Sequence, residues 1–172
     1  KRRWTDYAFK ELEAAGYTIG SAYTAVKDKA KTTFEYRDQL WAGADLLSLG
    51  VASFGHIGGT HYQNHHDFDP YVEHINNGEL PIYRAQTPSD DERLIREFIL
   101  QLKLGSVSLE YFKDKFGVDP ATRFAEPLKC IEDWGFLTID GDRINISREG
   151  LLQIDRLLHE FFLPEHRNAR YA

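Results

Sequence analysis

Apolar side chains recur at three- and four-residue spacing near the start of the chain. Trp4, Tyr7, Ala8 and Leu12 share one helical face, and Gly16 follows as a C-cap, so the pattern predicts a helix over 4–15. "YTIGSAYTAV" is rich in β-branched and aromatic residues and reads as a strand. Polar "KDKAKTT" leads to "FEYRDQLWAG", which the pattern leaves as irregular structure or a short helix. "ADLLSLGVASF" is apolar almost throughout, as strands covered on both faces are, and predicts a second, buried strand. Helix, strand, connection, strand and glycine loop give the rhythm of an α/β layer or barrel. Two strands do not make a stable sheet, so further strands are expected upstream.

A short helix is predicted from Pro70 to Asn77, with "NNGELP" as its exit. "YRAQTPSDD" is a polar connector and sets the expected boundary between domains 1–85 and 86–172. Beyond it, Ser89 and Glu92 form a capping box for a long helix whose inner face is Leu94, Ile95, Phe98, Ile99 and Leu102. "SLEYFKDKFG" is a shorter helix. Asp119 caps a third, with Pro120 at its first position and Gly135 closing it. "FLTIDGDRINIS" is a hairpin signal. A four-residue loop sets Ile139 opposite Ile144 and Leu137 opposite Ile146, and Ile139 is expected to be buried. Ser147 caps a last helix with Leu151, Leu152, Ile154, Leu158, Phe161 and Phe162 inside, ended by Pro164. Three helices, a hairpin and a closing helix describe a winged-helix-like module.

Composition narrows the function classes. With 42% hydrophobic and 13% aromatic residues, 172 residues suffice for a substantial core. Basic side chains number 21 against 27 acidic ones, which argues against a generic nucleic-acid binder. From residue 106 onward, nine Lys and Arg face twelve Asp and Glu. The third helix offers a DNA groove only Arg123 and Lys129, beside Glu126, Glu132 and Asp133. A single cysteine, Cys130, makes neither an internal disulfide nor a Cys-rich metal site, and a cytoplasmic setting is expected. No apolar run approaches a membrane span. Methionine is absent, so Lys1 is not a translation start and an upstream region is expected.

The densest candidate chemistry is "GVASFGHIGGTHYQN", residues 50–64. Glycines permit positive φ and close approach of a ligand to the main chain, and loops after barrel strands are where ligands sit. The segment is neither a Walker loop nor a dinucleotide fingerprint. Cofactor cradle and packing turn both remain open on the residues alone. His56, His61, His65 and His66, with Asp67 and Asp69, are suitable types for zinc or iron, but adjacent imidazoles rarely share one ion, and no metal site is assigned. The stretch "FFLPEHRNARY", with Glu165, His166, Arg167 and Arg170, either docks on another surface or is a charged tail.

Four elements in order carry a family resemblance. They are Gly16-Tyr17 after an amphipathic helix, "DLLSLGVASFGHIGG" followed by "YQN", "YVEHINNGELP", and the module containing "LTIDGDRINISREGLLQID". Together they resemble the C-terminal half of radical S-adenosylmethionine (SAM) enzymes of the oxygen-independent coproporphyrinogen III oxidase type. The resemblance implies an α/β fold: the last β/α units of a partial TIM-like barrel in 1–85, then a helical winged-helix-like cover domain in 86–172. It implies SAM and a [4Fe-4S] cluster as cofactors of the whole protein, with Phe54 against SAM and Ser53 and Gly55 flanking it. The cluster's cysteines are not in this chain, so the fragment alone is expected to be inactive. Expected partners are an upstream barrel and a small molecule, a porphyrinogen in haem synthesis, with no nucleic acid and no membrane. Two other readings are a non-enzymatic winged-helix module that binds protein or nucleic acid, and a haem-trafficking relative.

Overall fold

A computed structural model of the chain describes residues 2–167; Arg170, part of the expected C-terminal docking segment or tail, lies outside them. The chain divides into two compact units, 1–34 with 94–172, and 35–93. The expected domain boundary at 85–86 falls inside the second of these.

The first unit opens with α1 (Arg2–Ala14). Its end is a Schellman turn: Gly16, at φ 84°, and Tyr17 donate back to the carbonyls of Glu13 and Leu12. The expected single strand "YTIGSAYTAV" instead reverses at Ala22-Tyr23, giving an antiparallel hairpin of β1 (Thr18–Ser21) and β2 (Thr24–Val26). Ala22 is buried in the main core and its N–H donates to the Lys103 carbonyl at 2.9 Å. Arg148 holds α1 in the same unit: it pairs bidentately with Glu13, reaches Asp6, and lies 4.8 Å from the Phe9 ring.

The second unit begins with α2 (Glu35–Trp41) and contains a three-stranded antiparallel sheet in the order β3 (Phe54–Ile57), β4 (Thr60–Asn64), β5 (Ile82–Gln86), with α3 (Phe68–Asn76) between the last two strands. The buried strand expected over "ADLLSLGVASF" does not form. Its backbone is broken by left-handed residues, Gly50 at φ 97° and Ala52 at φ 60°. Two of its N–H groups go to side chains, Ser48 to Tyr62 Oη and Gly50 to Tyr71 Oη, and Ala52 N–H donates to the His65 carbonyl. Leu46 makes an isolated β-bridge to His56, and the last residue, Phe54, opens β3. All three sheets among the described residues are antiparallel, so no barrel unit is present, contrary to expectation.

The first unit resumes in α4 (Asp90–Leu102), whose start carries the expected capping box: Glu92 N–H donates to Ser89 Oγ, and Ser89 N–H donates to the Glu92 carboxylate at 2.7 Å. Next come β6 (Ser106–Ser108), α5 (Leu109–Phe116), α6 (Pro120–Arg123) and α7 (Ala125–Asp133). The expected third helix is thus two. Pro127 has no N–H to donate to Arg123, and the chain kinks at Phe124, which enters the core. β7 (Leu137–Asp140) and β8 (Arg143–Ile146) pair as anticipated, Ile139 with Ile144 and Leu137 with Ile146. The turn, however, has two residues, Gly141 and Asp142, because Asp140 also pairs with Arg143. Ile139 is 37% exposed, not buried; its partner Ile144 on the central strand of the β6-β8-β7 sheet is the core residue, at 0%. The closing helix is segmented into α8 (Arg148–Leu151), α9 (Ile154–Leu157) and two 3₁₀ turns, Leu158–Phe161 and Pro164–His166.

Phe98 centres this unit's core, stacked on Phe124 at 4.8 Å and edge-on to Phe112 and Phe161. One buried charge lies beside it. Glu97 accepts from Lys115 at 2.9 and 3.0 Å and from Tyr111 Oη at 2.8 Å. Burial pushes the Tyr111 phenol up; burial opposes the Lys115 ammonium, but its hydrogen bonds to Glu97 and Tyr111 prevail and raise it.

Candidate functional site

Cross-strand partners in an antiparallel sheet share a face, and alternate residues along a strand change face. In the second unit this sorts the side chains cleanly. Phe54 pairs with Gln63, and Gln63 with Arg84; His56 pairs with His61, and His61 with Gln86. These residues occupy one face. Gly55, Tyr62 and Ala85 pair in the same way and occupy the other.

The first face is the candidate site. Phe54 is 64% exposed. Arg84 Nε donates to Gln63 Oε1 at 2.8 Å, and the two imidazoles of His56 and His61 approach to 3.3 Å. A recess of about 400 Å³ is lined by Phe54, His61, Gln63, Arg84 and Gln86. An open aromatic ring flanked by a guanidinium and amides offers stacking to a planar group and donors to an anionic or carbonyl oxygen.

The other two sequence-predicted residues sit differently. Ser53 Oγ turns back to donate to the Leu49 carbonyl at 2.7 Å, while its own carbonyl accepts from Asn64. Gly55 is buried on the opposite face, where the Tyr62 ring crosses it. Gly58 and Gly59, at φ 56° and 80°, form the two-residue turn of the β3–β4 hairpin, with Gly58 N–H donating to Asp45. Of the histidines, His65 stacks on His74 and His66 meets Tyr83 edge-on. Among the described residues no three His, Cys, Asp or Glu side chains are placed to hold a metal ion. Cys130 lies on α7, in the first unit.

Arg84 and Gln86 were hidden in a segment read as a connector. Every residue of β5 is exposed, so no apolar alternation marks it as a strand. Among the described residues no helix is long and apolar enough to cross a membrane.

Residues 89–152 match the HemN C-terminal domain family. The chain is 28% identical to the oxygen-independent coproporphyrinogen III oxidase of Pseudomonas aeruginosa, over 95% of this chain and 39% of that protein. Its likeness to the enzyme of the same name from Helicobacter pylori is 29% over 67% of this chain and 26% of that one. The fold matches that of coproporphyrinogen III oxidase (HemN) from Escherichia coli, described as a radical SAM enzyme, with a TM-score of 0.73 over 91% of this chain, 39% of that chain and 19% identity. The chain therefore spans well under half the length of the relatives it matches.

Proposed function

Because this chain covers the C-terminal region of the coproporphyrinogen III oxidase family, we propose that it is the cofactor-wall and cover portion of a radical SAM oxidoreductase acting in porphyrin synthesis. The observation that carries the reading is Phe54, an aromatic ring standing open on a sheet face beside Gln63 and Arg84. That surface suits SAM: Phe54 presents an apolar plane to adenosine, and Arg84 supplies positive charge for the amino-acid carboxylate. Ser53 fixes the turn that leads Phe54 onto its strand.

A [4Fe-4S] cluster does not fit these residues, since one cysteine cannot replace the three thiolates that such a cluster requires. Its ligands belong to the upstream barrel, the expected partner of this chain. Bound there, cluster and SAM would supply radical hydrogen-abstraction chemistry toward the substrate. This chain's part is to seat the cofactor and, through the winged-helix-like module that begins with α4, to close the barrel mouth over a small molecule of the porphyrinogen class. The reading places the protein in the cytoplasm, away from membranes and nucleic acid.

The module's charges support that choice over a DNA-binding wing. Lys129 of α7 is paired with Asp133 at 3.1 Å, and Arg123 of α6 lies over the Phe124 ring. The test is anaerobic reconstitution of the protein together with its upstream region. The expected result is reductant-dependent 5′-deoxyadenosine; none from a fully loaded protein would overturn the proposal. The chain alone, reconstituted in parallel, is expected to show no iron–sulfur absorbance.

A further inference from the structure

A cavity of about 340 Å³ lies on the sheet face opposite Phe54. The 47–49 segment, Tyr62 and Ala85 of the sheet, and Tyr71 and Ile75 of α3 enclose it within the second unit. Its rim is apolar, with Leu47, Leu49 and Leu80 largely exposed. Its interior is polar at defined points. Tyr62 Oη accepts from Ser48 N–H at 2.9 Å and Tyr71 Oη from Gly50 N–H at 3.1 Å. Each phenol therefore spends a lone pair on the backbone and retains its own proton to donate. Ser48 also borders the cavity, but its Oγ is shut off from that space as it is from solvent.

No charged side chain lines the space, so an ion entering it would lose its hydration for nothing. Apolar walls with a few convergent polar groups, in a volume of roughly 300–1,000 Å³, are the make-up of small-molecule sites. We propose that this cavity binds a small, uncharged, largely apolar molecule carrying one acceptor oxygen, of the ketone or ester type, with the Tyr62 and Tyr71 hydroxyls as its donors. The proposal uses neither Phe54 nor Arg84, although Tyr62 and Ala85 border both recesses.

Titration of the chain with acetophenone, and separately with ethylbenzene, followed by amide chemical shifts, tests it. Acetophenone should give saturable shifts confined to residues 48–50, 62–64 and 71–75, with ethylbenzene several-fold weaker. Tyr71→Phe should weaken acetophenone roughly fivefold, the weight of one hydrogen bond, and leave ethylbenzene affinity unchanged. Ala85→Phe, on an exposed strand position, should abolish saturation by both probes with spectral dispersion retained. Shifts that do not saturate, or binding unchanged in Ala85→Phe, would overturn the proposal. Equal affinity for the two probes would also overturn it, marking a plain apolar contact face.

Discussion

The Tyr62 ring lies so close over Gly55 that a Cβ added to Gly55 would meet it at 2.2 Å. The two residues are direct cross-strand partners, and Tyr62 in turn fixes the 48–50 turn through its hydroxyl. Glycine is needed here for space, not for a special φ. Gly55→Ala should therefore destabilise the second unit by about 1–3 kcal/mol, the usual cost of overpacking. Gly55→Ala combined with Tyr62→Ala should cost less than the two single changes added together. Urea unfolding of the four proteins checks this; strict additivity would show that ring and glycine do not compete for the same space.

Phe54 makes the opposite forecast. Its ring is mostly in water, so Phe54→Ala should leave the unfolding midpoint within about 0.5 kcal/mol of wild type. In the protein with its upstream region the same change should lower SAM affinity and 5′-deoxyadenosine yield. Equilibrium dialysis with SAM separates the two effects. A large loss of stability with no loss of SAM would make Phe54 a packing residue.

In the β7–β8 hairpin the two paired isoleucines are not equivalent. Ile144→Ala should cost about 2–5 kcal/mol, because Ile144 is fully enclosed between Val107 and Ile139 on the central strand. Ile139→Ala, on the edge strand and partly in solvent, should cost under about 1 kcal/mol. Thermal melts rank them, and a reversed order would refute the register.

Glu97, 4% exposed, makes stability depend on alkaline pH. The folded protein holds the Lys115 proton more tightly than the unfolded chain, whose lysine titrates near 10.5. The pair's contribution is therefore complete below that value and disappears as pH rises through the higher folded value. The raised Tyr111 phenol acts with the same sign. Lys115→Met, which strands the carboxylate with Tyr111 alone, should cost about 2–3 kcal/mol at neutral pH, below the usual range for a broken buried pair because Lys115 is a third exposed. It should also flatten the alkaline slope of urea midpoints measured from neutral to strongly basic pH.

Local chemistry was readable in the sequence. The caps at Ser89, Asp119 and Ser147 each form the bond that their spacing announces, because cap and target lie two or three residues apart. The Ile139–Ile144 pairing was readable for the same reason. Distant partners were not. Residues 46–53 look like a strand, yet their fate is decided by Tyr62 and Tyr71, which lie 14 and 21 residues from the amides they accept. The break at Phe124 needs both Pro127 and a core pocket beside Phe98, and only the first can be read along the chain. Of the site, Phe54 was reached through family resemblance. Gln63 was marked within "YQN", but its place beside Phe54, and Arg84 altogether, emerged only when the strands were registered against one another.

Asp142, at the apex of the β7–β8 hairpin, accepts from Ser108 Oγ and from Glu110 N–H, while its carbonyl accepts from Leu109 N–H. Three tethers thus bind the fingertip to the shoulder of the neighbouring helix. A hairpin fastened in that way is braced against the start of α5, so turn and helix should loosen together: Asp142→Ala should lower the protection of the amides of both.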